Sequence, residues 1–183
     1  MADIQSSDEP LVQDAIAIAK MERQIMSREF IDPPVKWFED FELGDVMTTR
    51  GRTIDIGDIT TFAGLTGDHY QLHTDGAFME SNRFGQRIAH GALTFSIAIG
   101  LFVLGNFYGN AIAAMKKISG LVATKPVFPG DTLHVVATVI GHEATGPKYG
   151  TLAIAYSVRN QRDEEVMTFV QTTLAKRRPE EAS

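Results

Sequence analysis

The chain has 183 residues, 44% of them hydrophobic and 22% charged, proportions that suit one soluble globular domain with a full core and leave little room for two. A formal charge of −6 and a pI near 5.3 argue against general nucleic-acid binding, because neutralising phosphates takes a net basic face. There is no cysteine, which excludes thiolate nucleophiles, disulfides and cysteine-held metals.

Met1 to Asp14 carries four acids and no base, unlike the positive start of a secretory signal, so a cytoplasmic location is expected. Ser7-Asp8-Glu9-Pro10 combines N-cap residues, first-turn acids and an early proline, and predicts a helix running to Phe30. Leu11, Ala15, Ile18, Met21 and Ile25 form its apolar stripe, and Asp32-Pro33-Pro34 ends it. Residues 1–35 therefore read as an amphipathic helical extension that docks on the main domain or on a partner subunit, with 36–178 as that domain and 179–183 as a tail. The basic run Lys176-Arg177-Arg178 reads as solvated tail beside Glu180 and Glu181.

Within the main domain, Val46 to Ile54 alternates enough for a strand, and Ile59, Phe62, Ala63 and Thr66 mark a short helix that Gly67 ends as a left-handed cap. Asp68 to Asp75 reads as loop, with Thr74 as the cap of another short helix. Gly91 opens an apolar helix, Ala92 to Leu104, which Gly105-Asn106 closes. This helix is shorter than the roughly 18–20 residues that a membrane span needs. A helix apolar on all sides is expected inside a globular protein, so no membrane is assigned. Strands are then expected at Ala111 to Lys117, Leu121 to Lys125, Leu133 to Val139, Leu152 to Val158 and Val166 to Lys176, with turns at Gly141 to Lys148 and Gln161 to Glu164. One apolar helix followed by about five antiparallel strands suggests an α+β arrangement, a curled sheet around a buried central helix.

The densest polar cluster is Gly67-Asp68-His69-Tyr70-Gln71-Leu72-His73-Thr74-Asp75, between two helices. An acid and an imidazole five positions apart can converge across a loop, one accepting a proton while the other orients or donates. The plainer alternative is that Asp68 caps a helix and His73 is a satisfied structural histidine. His69 and His73 have the i, i+4 spacing of a metal pair, yet Tyr70 stands where zinc proteases carry glutamate and Gly67 disfavours a continuous helix, so no metal is assigned. Ile88-Ala89-His90-Gly91 leads into the apolar helix, whose unpaired N–H groups can bind a carbonyl oxygen, and Gly91 leaves that approach open. His90 reads as pointing back into the loop.

Phe62-Ala63-Gly64-Leu65-Thr66-Gly67-Asp68, His73-Thr74-Asp75, Phe84-Gly85 and Ile88-Ala89-His90-Gly91, taken in order, resemble the signature of MaoC-like dehydratases and (R)-specific enoyl-CoA hydratases. Pro126-Val127-Phe128-Pro129-Gly130-Asp131 resembles the turn before their long strands, and the likeness runs from about Trp37 to Lys176. The resemblance implies a hot-dog fold pairing as a homodimer or higher homo-oligomer. It implies a catalytic aspartate at Asp68, a catalytic histidine at His73 and an oxyanion-binding amide at Gly91; His90 and Tyr70 are further candidate substrate-binding residues, Tyr70 because its bulk can shape the pocket. Many hydratases of this kind have Asn-Pro where Tyr70-Gln71 stands here, a change that bears on substrate preference.

The implied reaction is addition of water to a trans-2-enoyl thioester of coenzyme A or of an acyl carrier, giving the (3R)-3-hydroxyacyl product without metal or redox cofactor. Arg83, Arg87, Lys116, Lys117, Lys125 and Lys148 are candidate partners for the coenzyme A phosphates. A hot-dog thioesterase and a non-catalytic subunit of a heteromeric dehydratase are the alternatives. The motif set points away from the first, and the presence of both Asp68 and His73 away from the second.

Overall fold

The computed structural model describes residues 31–179, and the expected helix at Ser7 to Phe30 lies outside them. From Pro33 onward the chain forms one compact unit. A 3-10 turn at Phe38–Asp40 precedes β1 (Val46–Thr48) and β2 (Arg52–Thr53). Four helices follow, α1 (Ile56–Thr66), α2 (Gln71–Thr74), α3 (Gly76–Glu80) and α4 (Gly91–Leu104). The long strands β3 (Ile112–Ala123), β4 (Thr132–Ala144), β5 (Tyr149–Arg159) and β6 (Glu165–Lys176) complete the domain.

The strands form an antiparallel sheet in the order β1-β4-β5-β6-β3, with β2 also pairing to β4. Alternation along β4, β5 and β6 buries one face, including Leu133, Val135, Ile154, Tyr156 and Phe169, in a core shared with α4. From α4 come Leu93, Ile97, Leu101 and Phe102, whose burial contributes about 1.5–3 kcal/mol apiece.

The expected strand at Val46 to Ile54 is two short pieces. Between them the Thr49 hydroxyl accepts from the Val135 amide (2.9 Å), so a side chain replaces a backbone partner and interrupts the ladder. The two strands expected around residue 120 are one strand, β3, kept continuous by irregular pairing around Gly120, whose φ of +58° suits glycine.

Helix α4 is not buried on all sides. Leu93, Thr94, Ile97, Ala98, Leu101 and Phe102 face the core, whereas Val103 and Leu104 are 55% and 64% exposed, because the sheet covers a single side of the helix. No described helix is long and apolar enough to cross a membrane. The basic run is not a free tail: Arg177 pairs with Glu39 (2.8 Å) and Arg178 with Asp40 (2.7 Å), tying the end of β6 to the 3-10 turn. Hydrogen bonds from the Arg178 amide and the Arg177 guanidinium hold the Glu39 carboxyl below its ordinary range, against the opposing effect of desolvation.

Candidate functional site

The site is built where α1 ends and α4 begins. Asp58 accepts from the Asp55 amide (2.9 Å) at the start of α1, and Gly67, at φ +77°, closes the helix with its N–H on the Ala63 carbonyl. That left-handed step turns the chain outward at Asp68. The Asp68 side chain is exposed, with the Tyr70 amide 3.3 Å from its Oδ1.

The segment expected as loop contains the one-turn helix α2, which carries His73. Asp75, not Thr74, caps α3 by accepting from the Phe78 amide (2.9 Å). The Thr74 hydroxyl turns back to the carbonyls of His69 and Tyr70 instead (2.9 and 3.2 Å). A carboxylate accepts from the first-turn amides of α3 at least as well as a hydroxyl, which leaves Thr74 free to staple the loop.

The turn at Pro126–Asp131 props up the other half of the site. Asp131 is buried, and its carboxylate accepts from the Phe128 amide (2.8 Å) and the Gln161 side-chain amide (2.9 Å). From this fixed turn the Val127 carbonyl accepts from the Ala89 amide (2.8 Å), and the Leu72 carbonyl accepts from the Ile88 amide (3.1 Å). The strand-like segment before α4 is thereby clamped between the turn and α2.

These clamps converge on two imidazoles. His73 places Nδ1 on the Ile88 carbonyl (2.8 Å) and His90 places Nε2 on the Asp68 carbonyl (2.9 Å). A carbonyl only accepts, so each of these ring nitrogens carries the proton, and His73 Nε2 is left as the free base-side atom. The rings stack at 3.8 Å and 27°, and Phe62 packs on His90 at 5.1 Å. His90 is buried, and its Nδ1 has no hydrogen-bond partner. One ligand atom from each of Asp68, His73 and His90 falls within 4.8 Å of the others, close enough to share one water or cation. His69, weighed with His73 as a metal pair, is not in it.

A cleft of about 310 Å³ opens beside His73; Gly91 lines it as an exposed residue, and Thr94, Val127 and Met167 line it as buried ones. A Cβ at Gly91 would meet no atom within 4 Å, so packing does not demand this glycine. As first residue of α4 it offers one of the amides without an intrahelical acceptor. Among the six cations named from the sequence, Arg83 and Lys125 line the cleft and the other four do not. Arg83 lies over the Phe84 ring (4.6 Å), and Lys125 is paired with Glu164 (2.7 Å). His73 and Gly91 line the cleft; Asp68 does not, but a carboxylate oxygen of it lies within 4.8 Å of a His73 ring nitrogen. His90 lies beneath them as a support and does not line the cleft, and Tyr70 is 62% exposed and does not line it either. Sequence reasoning missed Thr94, Val127 and Met167.

A family model described as the MaoC like domain matches residues 40–160. Protein MaoC of Klebsiella aerogenes is 36% identical over 113 residues, which are 62% of this chain and 33% of that protein. Beta-methylmalyl-CoA dehydratase of Chloroflexus aurantiacus is 30% identical over 147 residues, 79% of this chain and 41% of that one. The chain thus spans between a third and a half of the length of these two curated relatives. A solved Mycobacterium tuberculosis protein with a double hot-dog fold superposes with a TM-score of 0.74 at 21% identity, over 84% of this chain and 48% of that one. The fold is a hot-dog, α+β, with an open antiparallel sheet laid against α4.

Proposed function

Because this chain belongs to the MaoC-like domain family, we propose that it interconverts a trans-2-enoyl thioester and a (3R)-3-hydroxyacyl thioester of coenzyme A, as a carbon–oxygen lyase. The observation that carries the reading is the convergence of His73 and Gly91 on one cleft with the Asp68 carboxylate within 4.8 Å of the imidazole. The dehydratase name borne by a 30% identical relative supports the reaction class.

Asp68 takes the proton from water as the water oxygen adds to the β-carbon, His73 Nε2, presented by the Nδ1–H bond to Ile88, holds that water in place, and the proton then passes to the α-carbon as the enolate collapses. The Gly91 amide, aided by the N-terminal end of α4, stabilises the oxygen that gains charge as the enolate forms; such a donor is commonly worth about 3–4 kcal/mol. Arg83 and Lys125 at the cleft meet coenzyme A phosphates despite the acidic chain as a whole. The protein works as a homodimer in the cytoplasm, with residues 1–35 as an extension to the catalytic domain.

The test is incubation of the full-length protein with crotonyl-CoA, following loss of enoyl absorbance and resolving the product on a chiral column. Hydration to predominantly (3R) product is expected. A predominantly (3S) product contradicts the geometry, and release of free thiol supports the thioesterase instead. The Asp68, His73 and His90 grouping favours one second reading, a cation-dependent site. Activity lost on chelation and restored by a single divalent cation would establish that alternative, whereas the water mechanism predicts no effect of a chelator.

A further inference from the structure

Cleft depth bears on the acyl group, and this inference rests on the thioester reading above. With His73 and Gly91 at the reacting carbons, the acyl tail must run inward between α4 and the sheet, toward Thr94, Val127 and Met167. All three are buried, Met167 at 1% exposure. Two residues along the buried face of β6 from Met167 stands Phe169, the start of an aromatic cluster in the seam between α4 and the sheet. Phe95 of α4 meets Phe169 of β6 edge-on at 4.9 Å, Phe169 stacks on Tyr156 at 4.5 Å and 14°, and Phe102 leans on Tyr156 at 5.1 Å.

The Tyr156 hydroxyl is in turn held by Tyr108 at 3.0 Å. Desolvation pushes the Tyr108 phenol up to about 12 and raises Tyr156 as well, so both stay neutral and hydrogen-bonded in the core. Swinging any one ring aside would open voids around its neighbours or strand a buried hydroxyl. The cleft, at about 310 Å³, is at the small end for a ligand site and must also admit the thioester.

We propose that this protein is selective for short acyl chains, of about four to six carbons, with Met167 and Thr94 as the floor of the acyl pocket and the Phe95–Phe169–Tyr156 stack as its closed end. Met167 is the adjustable element, since a thioether can be trimmed without breaking the stack.

The experiment measures kcat/KM of the full-length protein on trans-2-enoyl-CoA substrates of four to twelve carbons, and in parallel the affinity for butyryl-CoA and decanoyl-CoA by calorimetry. A fall of at least about tenfold in kcat/KM beyond six carbons is expected, with weaker decanoyl-CoA binding to match. In Met167→Ala the fall-off should move to longer chains; Val127→Ala serves in its place if that variant does not fold. Equal turnover or equal binding of four- and ten-carbon chains would overturn the proposal. If no enoyl thioester is turned over but butyryl-CoA binds at least about tenfold tighter than decanoyl-CoA, hydration falls and the short pocket stands.

Discussion

At Gly91 the missing side chain has no packing explanation, because a Cβ there would project into open space. Gly91→Ala is therefore expected to melt like the wild type. Its methyl would stand where the thioester oxygen approaches, lowering kcat/KM by about ten- to a hundredfold; an unchanged kcat/KM would remove Gly91 from substrate binding. His90 acts at one remove. His90→Phe keeps a ring against His73 but loses the donor to the Asp68 carbonyl, so stability should fall by about 1–3 kcal/mol. Because His90 does not line the cleft, kcat should fall more than KM rises, which steady-state kinetics and a denaturant titration together would check. The local features that place Asp68, His73 and Gly91 were legible in the sequence: a left-handed glycine that ends α1, a polar loop and a glycine that opens α4 each leave a local mark. Thr94 and Met167 left none, since a residue of an apolar helix or the buried side of a strand reads as core whether it faces protein or substrate, and Val127 was marked only as part of a turn.

Among the elements, the turn joining β5 to β6 is tied to the cleft through Lys125, which pairs with Glu164. Glu164 accepts from Asn160 (2.8 Å), Lys125 (2.7 Å) and Arg162 (2.8 Å), and these bonds, that of Asn160 foremost, hold its carboxyl down at about 2 against an ordinary 4.5. A carboxyl lowered on folding contributes stability that is complete above its unfolded value and is lost as the pH falls through the folded one. The window is therefore about 4.5 down to 2, and Glu164→Gln should flatten the melting-temperature profile across it. An identical acid limb in the variant would show that other carboxyls govern it. The long strands β4 to β6 were readable because alternation marks a sheet with one buried face. The break at Thr49 and the continuity of β3 through Gly120 were not, since each is decided by pairing to a strand distant in sequence. The exposed side of α4 was likewise missed, because composition shows that a helix is apolar but not how far a sheet wraps it.

On the scale of the whole molecule, β3 is an edge strand with Met115 and Val122 exposed, and Val103 and Leu104 of α4 are exposed as well. Unpaired edges and apolar patches are normally covered. The proposed homodimer should appear in light scattering at micromolar concentration, and a monomer throughout would oppose it. Deleting Met1 to Phe30 should leave cooperative unfolding intact, since the compact unit starts at Pro33; its loss would place the extension in the core. The claim on which the whole account turns is that the folded domain adds water through Asp68. Its most direct test is turnover of crotonyl-CoA by Asp68→Asn beside the wild type, with melting curves for both. The exposed carboxylate contributes little to the fold, so the variant should melt normally while turnover drops by about two to four orders of magnitude. Near-wild-type hydration by a folded Asp68→Asn protein would contradict it.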